Sequence, residues 1–217
     1  GGAAAPPALL RAASERGVPF LTSYGLTETF GQIATAPISH AGDPDAPLVP
    51  LAGVQLDAGT RDVPRRIRAR GPMLATAYLG GDGELQPIAP ELATADLGFI
   101  EGGALHVLGR ADDVIVSGGE KVHPSVVEAV LAATPGVRAA CVFAAPDARW
   151  GQIVGAAVVV DATFTEARAA AHWRAHLPPH ARPRELALVE ALPLGPTGKV
   201  DRRRAAVIAR HAVRYAG

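Results

Sequence analysis

The sequence predicts an α+β protein in two parts, a small, mostly antiparallel β unit followed by a unit in which helices alternate with strands. Two observations carry that expectation. Through the first half the apolar segments are short and punctuated by Gly and Pro, the spacing of small strands joined by tight turns. Beyond Arg110 the pattern changes to helical apolar stripes between longer apolar runs that read as buried strands. The bulk properties agree: of 217 residues, 48% are hydrophobic and 19% charged, which describes a globular chain and not a disordered one.

In chain order, Pro7 to Arg16 reads as a short helix, and Val18 to Ser23 as a brief strand that delivers Tyr24-Gly25-Leu26-Thr27-Glu28 to a turn. Residues 37–50, rich in Pro, Gly and Asp, read as a surface loop. Val54 to Leu56, Arg66 to Arg70 and Met73 to Leu79 look like short strands, with Gly80-Gly81-Asp82-Gly83 a tight turn. A second β pair, Leu105 to Gly109 and Val114 to Ser117, flanks Arg110-Ala111-Asp112-Asp113. The domain boundary falls there, giving parts 1–111 and 112–217.

In the second part Pro124 opens a helix with the stripe Val126, Val127, Val130 and Leu131, the ring sitting where a missing N–H costs nothing. Val137 to Ala145 and Ile153 to Val160 are buried-strand candidates. Thr163 and Glu166 have capping-box spacing before a helix that stops at Pro178-Pro179. Leu186 to Val189 is a further strand, and Asp201 to Val213 a closing helix.

Several function classes are disfavoured. Twenty-one basic side chains balance 21 acidic ones without a sustained Lys/Arg run, so there is no electrostatic footprint for nucleic acid or an anionic membrane. The cluster Arg202-Arg203-Arg204 is expected to be a solvated helix face. No apolar stretch approaches the ~18 residues of a membrane span, and the amino terminus lacks a signal-peptide pattern, so a soluble protein is expected. Cys141, the single cysteine, lies in an apolar run and cannot make an internal disulfide, which points to a reducing compartment, the cytoplasm. The chain begins Gly1-Gly2-Ala3 and not with Met, the mark of a processed start or of a piece of something longer.

Four segments concentrate chemistry-bearing residues: Tyr24-Gly25-Leu26-Thr27-Glu28; Thr94-Ala95-Asp96-Leu97-Gly98; Gly109 to Asp113 running on to Ser117-Gly118-Gly119-Glu120; and Gly195-Pro196-Thr197-Gly198-Lys199-Val200-Asp201. Taken alone each is weak: the first reads as a helix cap, the third as a hairpin with a salt-bridged turn, the fourth as a solvated loop lysine, and the second carries no stronger signal. His172 and His176 share a helix face, but no Glu stands beside the first and no third ligand is evident.

Order and spacing together resemble the adenylate-forming superfamily of acyl-CoA synthetases, peptide-synthetase adenylation domains and luciferases. The resemblance covers nearly the whole chain. It implies the end of a large, mostly β adenylating domain followed by a small mobile α+β carboxyl-terminal domain, with ATP, Mg²⁺, coenzyme A and a small-molecule carboxylic acid as partners; a homodimer is compatible with it. It assigns Thr27 to the α-phosphate, Glu28 to Mg²⁺, Tyr24 and Gly25 to the nucleotide, Asp96 to the ribose with Arg110 assisting, and Gly2 to the Gly-Gly-Ala turn that precedes them. Lys199 looks like the lysine that bridges carboxylate and phosphate during adenylation. Asp112 resembles the hinge residue, and Gly118, Gly119 and Trp150 the CoA-binding set.

Two departures stand out: Ala95 replaces a glycine, and the family's phosphate loop would lie upstream of this sequence, so an upstream portion is expected to be required. Within the superfamily, Ser117 to Pro124 resembles CoA ligases, while Leu192-Pro193-Leu194 and Gly198 to Arg202 also look like peptide-synthetase endings. Gly109 to Pro124 and the segments Pro183 to Leu186 and Gly198 to Arg203 are most similar to the o-succinylbenzoate-CoA ligases of menaquinone synthesis. Aryl-CoA ligases of the chlorobenzoate type share Arg149-Trp150-Gly151-Gln152. A non-catalytic fragment that binds nucleotide or protein is the remaining alternative.

Overall fold

The computed structural model describes residue 5 and residues 7–88, 90–196 and 198–209. Gly2, Thr197 and the expected helix beyond Ala209 lie outside them. The chain divides into two compact units, the first ending at Ala111 and the second beginning at Asp112.

The first unit opens with α1 (Pro7–Glu15). A three-stranded antiparallel sheet follows, in the order β1 (Ser23–Leu26), β2 (Gly31–Thr35), β3 (Val49–Pro50). The strand expected before Tyr24 does not form: Pro19 offers no N–H, and the bonds of 18–22 are isolated ones, Val18 N–H to Ala13 O, Gly42 N–H to Phe20 O and Ala36 N–H to Thr22 O. Tyr24 to Leu26 is itself the strand, and the turn is a 3₁₀ segment over Thr27–Thr29.

A four-stranded antiparallel sheet takes β4 (Gln55–Gly59) and β5 (Pro64–Arg70) on one side; β6 (Ala77–Leu79) and β7 (Leu85–Pro87) form a separate hairpin, closed by Gly80 N–H donating to Glu84 O at 2.8 Å. Met73 to Thr76 is not strand, because the Ala75 N–H is taken by the carbonyl of Glu28 at 2.8 Å and not by a ladder partner. The larger sheet is completed by β8 (Leu92–Glu101) and β9 (Ala104–Arg110) in the order β4-β5-β8-β9. Leu105 to Gly109 therefore pairs backward with a strand the sequence reading missed, and not forward with Val114 to Ser117. The cause is Gly102-Gly103, at φ +59° and +81°, a two-residue turn of the kind hairpins favour. Ala34, Ala58, Ile67 and Leu105 form the core, with Tyr24 and Leu56 packed against it.

In the second unit β10 (Ile115–Ser117) and β11 (Glu120–Val122) make a hairpin that leads into α2 (Pro124–Ala132). β12 (Val137–Asp147) and β13 (Gly151–Val160) are long antiparallel partners, α3 (Glu166–His176) follows, and β14 (Glu185–Leu188) lies parallel to β13 before α4 (Arg202–Ala209). The sheet runs β11-β10-β13-β12, with β14 also on β13. Residues of β12 and β13 alternate between two cores. Val142, Val154, Ala156 and Val158 meet Val127 and Leu131 of α2 and Trp173 of α3, whereas Phe143, Ala145, Ile153 and Ala157 meet Ala205 and Ala209 of α4. Both faces are covered, which is why these strands read as unbroken apolar runs.

Gly155 stands opposite Phe143 and leaves room for its ring, which a Cβ there would meet at 2.3 Å. Two expectations change. Val126, placed in the stripe of α2, is 50% exposed, so the buried line is Pro124, Val127 and Leu131. The cap of α3 is Thr165, whose hydroxyl accepts from Arg168 N–H at 3.4 Å; Thr163 is held instead by Asp161, to whose carboxylate its hydroxyl donates at 2.5 Å. Among the described residues no helix is long and apolar enough to cross a membrane.

Trp173 is 2% exposed, and its Nε1–H donates to Thr134 Oγ1 at 3.0 Å. Trp173→Phe removes that bond and part of the ring, and should cost about 1–3 kcal/mol in urea unfolding followed by circular dichroism. An unchanged midpoint would mean that the pair contributes nothing to the packing of α3.

Candidate functional site

The first unit gathers the first two motifs. At Gly25 the pairing of β1 with β2 shifts register, and the backbones approach so closely that a Cβ would sit 1.9 Å from the Gly31 carbonyl oxygen. No other residue type fits there without moving β2. The next turn is clamped from inside by Thr29, 1% exposed, a residue the sequence reading passed over. Its hydroxyl accepts from Leu26 N–H at 2.9 Å and lies 2.9 and 2.7 Å from the carbonyls of Leu26 and Gly31. Phe30 takes the left-handed conformation (φ 53°) and is 95% exposed. Thr27 is thereby presented to solvent and Glu28 is half-buried beside it, with Tyr78 O–H donating to Glu28 Oε1 at 3.3 Å. An open depression of about 390 Å³ lies alongside, lined by Thr27, Phe30 and residues Pro72 to Thr76.

Tyr24 and Asp96 are brought together: the phenol donates to Asp96 Oδ2 at 2.8 Å, and Arg110 stands opposite Asp96 in the pairing of β8 with β9. Burial, with further contributions from the Asp96 and Glu28 carboxylates, raises the Tyr24 pKa well above that of a free phenol even though a hydrogen bond to Thr94 opposes it, so the hydroxyl keeps its proton. Ala95 causes no difficulty, because 94–96 is ordinary strand with no positive φ. The half-buried Glu28 carboxylate is the kind of oxygen donor that could contribute to holding a hard cation; no group of three or more metal-ligating side chains occurs among the described residues.

The second unit holds the rest. Gly118 and Gly119, at φ +60° and +90°, form the two-residue turn of the β10–β11 hairpin. Gly118 N–H donates to Trp150 O at 3.1 Å, and a Cβ on Gly118 would lie 2.5 Å from the Trp150 ring. The guanidinium groups of Arg149 and Arg184 sit 4.9 and 5.4 Å from the Trp150 ring centre, which gives that face positive charge. Asp112 is exposed in the 3₁₀ turn Ala111–Asp113 at the start of the unit. Lys199 is exposed on a loop closed on itself: Leu194 bridges Val200, Gly195 N–H donates to Lys199 O at 2.7 Å, and Gly198 adopts φ +75°.

One expectation is overturned. Arg202 is not on a solvated face with Arg203 and Arg204; its side chain is 27% exposed, and Nε–H donates to Asp113 Oδ2 at 3.2 Å while Nη1–H reaches Glu128 Oε1 and the Val142 carbonyl. Burial works to lower its pKa, and Glu128, then Cys141 and Asp113, more than offset this. The same burial pushes the Cys141 thiol up to about 12, so it is protonated and inert at neutral pH. The signal for this cluster was Glu128, the one charge in the apolar helix Pro124–Ala132, which had to find a partner. The His172 and His176 rings lie tilted against each other with centres 4.2 Å apart, and His176 Nδ1 bonds the His172 carbonyl.

Fold and motifs together define the class. Residues 126–199 match the family model of the AMP-binding enzyme C-terminal domain, and the chain is similar throughout to the carboxyl-terminal region of adenylate-forming enzymes. Acid–CoA ligases and an amide bond synthetase are among the similar proteins. A 2-succinylbenzoate–CoA ligase of Listeria monocytogenes serotype 4b (strain F2365) is 32% identical over 211 residues, which cover 94% of this chain and 44% of the relative. The o-succinylbenzoate CoA synthetase of Bacillus subtilis, solved with its acyl-adenylate intermediate, superposes at TM-score 0.78 and 28% identity, over 92% of this chain and 43% of that one. The amide bond synthetase McbA of Marinactinospora thermotolerans superposes at 0.83 and 28%, over 95% of this chain and 46% of that one. The chain thus spans less than half the length of these proteins.

Gly118→Ala forces a side chain into the Trp150 ring at a positive φ, so it should lower stability by at least about 1–2 kcal/mol. It should also shift the Trp150 fluorescence. Gly119→Ala, with nothing within 4 Å of the added Cβ, should show strain without the spectral change. Identical spectra for the two variants would remove the steric account of Gly118.

Proposed function

We propose that the protein containing this chain is an ATP-dependent ligase that activates o-succinylbenzoate as its adenylate and passes the acyl group to coenzyme A. The observation that carries the reading is the second unit's pair of loops. One presents Lys199 without an ion-pair partner among the described residues, and the other sets a glycine turn under an aromatic face flanked by cations. Two half-reactions need two such loops. Similarity to 2-succinylbenzoate–CoA ligases over 94% of the chain supports the choice of acid.

In the first half-reaction a carboxylate oxygen attacks the α-phosphorus and pyrophosphate departs. Charge builds on the phosphate oxygens, so the exposed Thr27 hydroxyl donates to them and the Lys199 ammonium, a compact point charge, lies between carboxylate and phosphate. Glu28 would hold Mg²⁺, which would supply neutralising charge to the phosphates. Asp96 accepts from the ribose hydroxyls with Arg110 alongside, and Tyr24, fixed by its bond to Asp96, offers its ring to the adenine. In the second half-reaction the CoA thiol attacks the acyl carbon and AMP leaves. Rotation at Asp112 exchanges the Lys199 loop for the Gly118-Gly119 turn, whose missing side chains admit a thin pantetheine. Trp150 with Arg149 and Arg184 suits the anionic nucleotide end of CoA. Likeness to an amide bond synthetase favours a second reading, in which an amine replaces the thiol.

In the complete protein, o-succinylbenzoate should drive CoA-dependent AMP release faster than benzoate or fatty acids. Faster turnover with a simple aryl acid overturns the choice of acid, and AMP release that depends on an amine and ignores CoA selects the second reading. Lys199→Ala should slow adenylation by roughly 10² to 10³, about 2.7–4 kcal/mol, yet convert preformed acyl-adenylate to thioester at a near wild-type rate. Asp112→Pro, by fixing φ, should accumulate adenylate without thioester. Equal slowing of both steps by Lys199→Ala in single-turnover measurements would refute the two-arrangement mechanism.

A further inference from the structure

We infer that Arg202 is a positioning residue that makes the Lys199 loop turn as one body with the hinge. The inference rests on the reading above, in which Lys199 acts in adenylation and Asp112 is the hinge. Along the chain the two are far apart, Asp113 and Arg202 being 89 positions distant. In space they are joined by one side chain. The Lys199 loop is closed at its base by the Leu194 to Val200 bridge and by Asp201 N–H donating to Pro193 O at 2.8 Å. The chain then enters α4, where Asp201 caps the helix by accepting from Arg204 N–H at 3.0 Å, and Arg202 is the first helical residue. Lys199 is thus three residues from a guanidinium whose other end holds Asp113, the residue immediately after Asp112.

The guanidinium is held from three directions. Asp113 binds Nε–H, while Glu128 of α2 and the Val142 carbonyl of β12 receive Nη1–H, so it cannot pivot as a surface arginine does. Glu128 is itself fixed, accepting from Val142 N–H at 2.8 Å. A backbone rotation at Asp112 carries Asp113 first, and the ion pair passes that displacement to Arg202 and, through the closed loop, to Lys199. A staple that served stability alone would need only the contacts to Glu128 and Val142. The Asp113 arm points specifically at the segment that has to move.

The two roles differ in what Asp113→Asn should do in the complete protein. That variant leaves Arg202 its bonds to Glu128 and Val142, so the unit stays folded with a melting temperature within a few degrees of wild type. Lys199 is then held less closely, and because a misplacement of order 1 Å can cost 10²-fold, the adenylation rate should fall by about tenfold or more. The KM for ATP should be little changed, and thioester formation from preformed adenylate should stay within about twofold of wild type. Asp113→Glu, which keeps the charge, should recover most of the lost rate, and Arg202→Lys, which cannot hold three directions, should behave like Asp113→Asn. If Asp113→Asn slows both half-reactions equally, or leaves adenylation at the wild-type rate, or if Arg202→Lys, whose single nitrogen cannot span Asp113 as well as Glu128 and the Val142 carbonyl, leaves adenylation unimpaired, Arg202 is only a staple and the inference fails. Lys199→Ala run in parallel separates the two levels: if it does not impair adenylation, the reading of Lys199 fails, whatever Asp113→Asn does.

Discussion

The second unit depends on what happens at the open edge of its sheet. β12 pairs only with β13, so every other N–H and carbonyl along it faces away from a strand partner. Unsatisfied backbone groups cost on the order of 1–3 kcal/mol each when buried, and an open edge also invites another strand. At Val142 both outward groups are met by side chains, the N–H by Glu128 and the carbonyl by Arg202. One ion pair therefore satisfies the edge at Val142, joins α2 to α4 across the two faces of the sheet, and with Asp113 reaches back to the start of the unit. Cys141 lies against the same guanidinium, and the desolvation that makes the site selective for a paired charge also keeps that thiol protonated.

The first unit relies on close backbone approach instead of charge. Gly25 lets β1 and β2 come nearer than any side chain would allow, and Thr29 converts the resulting turn into a rigid platform by satisfying its backbone groups internally. Thr27 and Glu28 are presented by this arrangement without belonging to the core. The Tyr24 bond to Asp96 links that platform to β8, so residues 72 positions apart share one local field. Functional side chains carried on short turns between strands are well placed for chemistry because the strands absorb the cost of ordering them.

Proteins with different acyl acceptors share this architecture, a CoA ligase and an amide bond synthetase among them. Strand order and core packing therefore say little about the acceptor, and what bears on CoA is the set of residues around one turn: Gly118, Gly119 and Trp150 with its two arginines.

Much of this was legible in the sequence. The long apolar strands, the Pro124 helix and the clustering of polar residues in four short segments followed from periodicity and from the roles of Gly and Pro, which are local properties of the chain. What failed were statements about partners. Leu105 to Gly109 was paired with the wrong strand, Thr163 was made a cap although Asp161 had claimed its hydroxyl, and Arg202 was taken for a solvated charge. Only the Arg202 contacts join residues distant in sequence; the other two turn on short-range competition that apolar periodicity does not register, Asp161 for the Thr163 hydroxyl and the Gly102-Gly103 turn for the strand pairing. The sequence by itself determined the long apolar elements of the second unit and the chemical inventory, because these are set by side-chain periodicity and composition, whereas the strands of the first unit, β8 among them, were legible only in part. Tertiary structure alone decided that the charge at position 202 is half-buried between Glu128 and Asp113, since only the folded sheet brings those groups and the outward Val142 carbonyl to it.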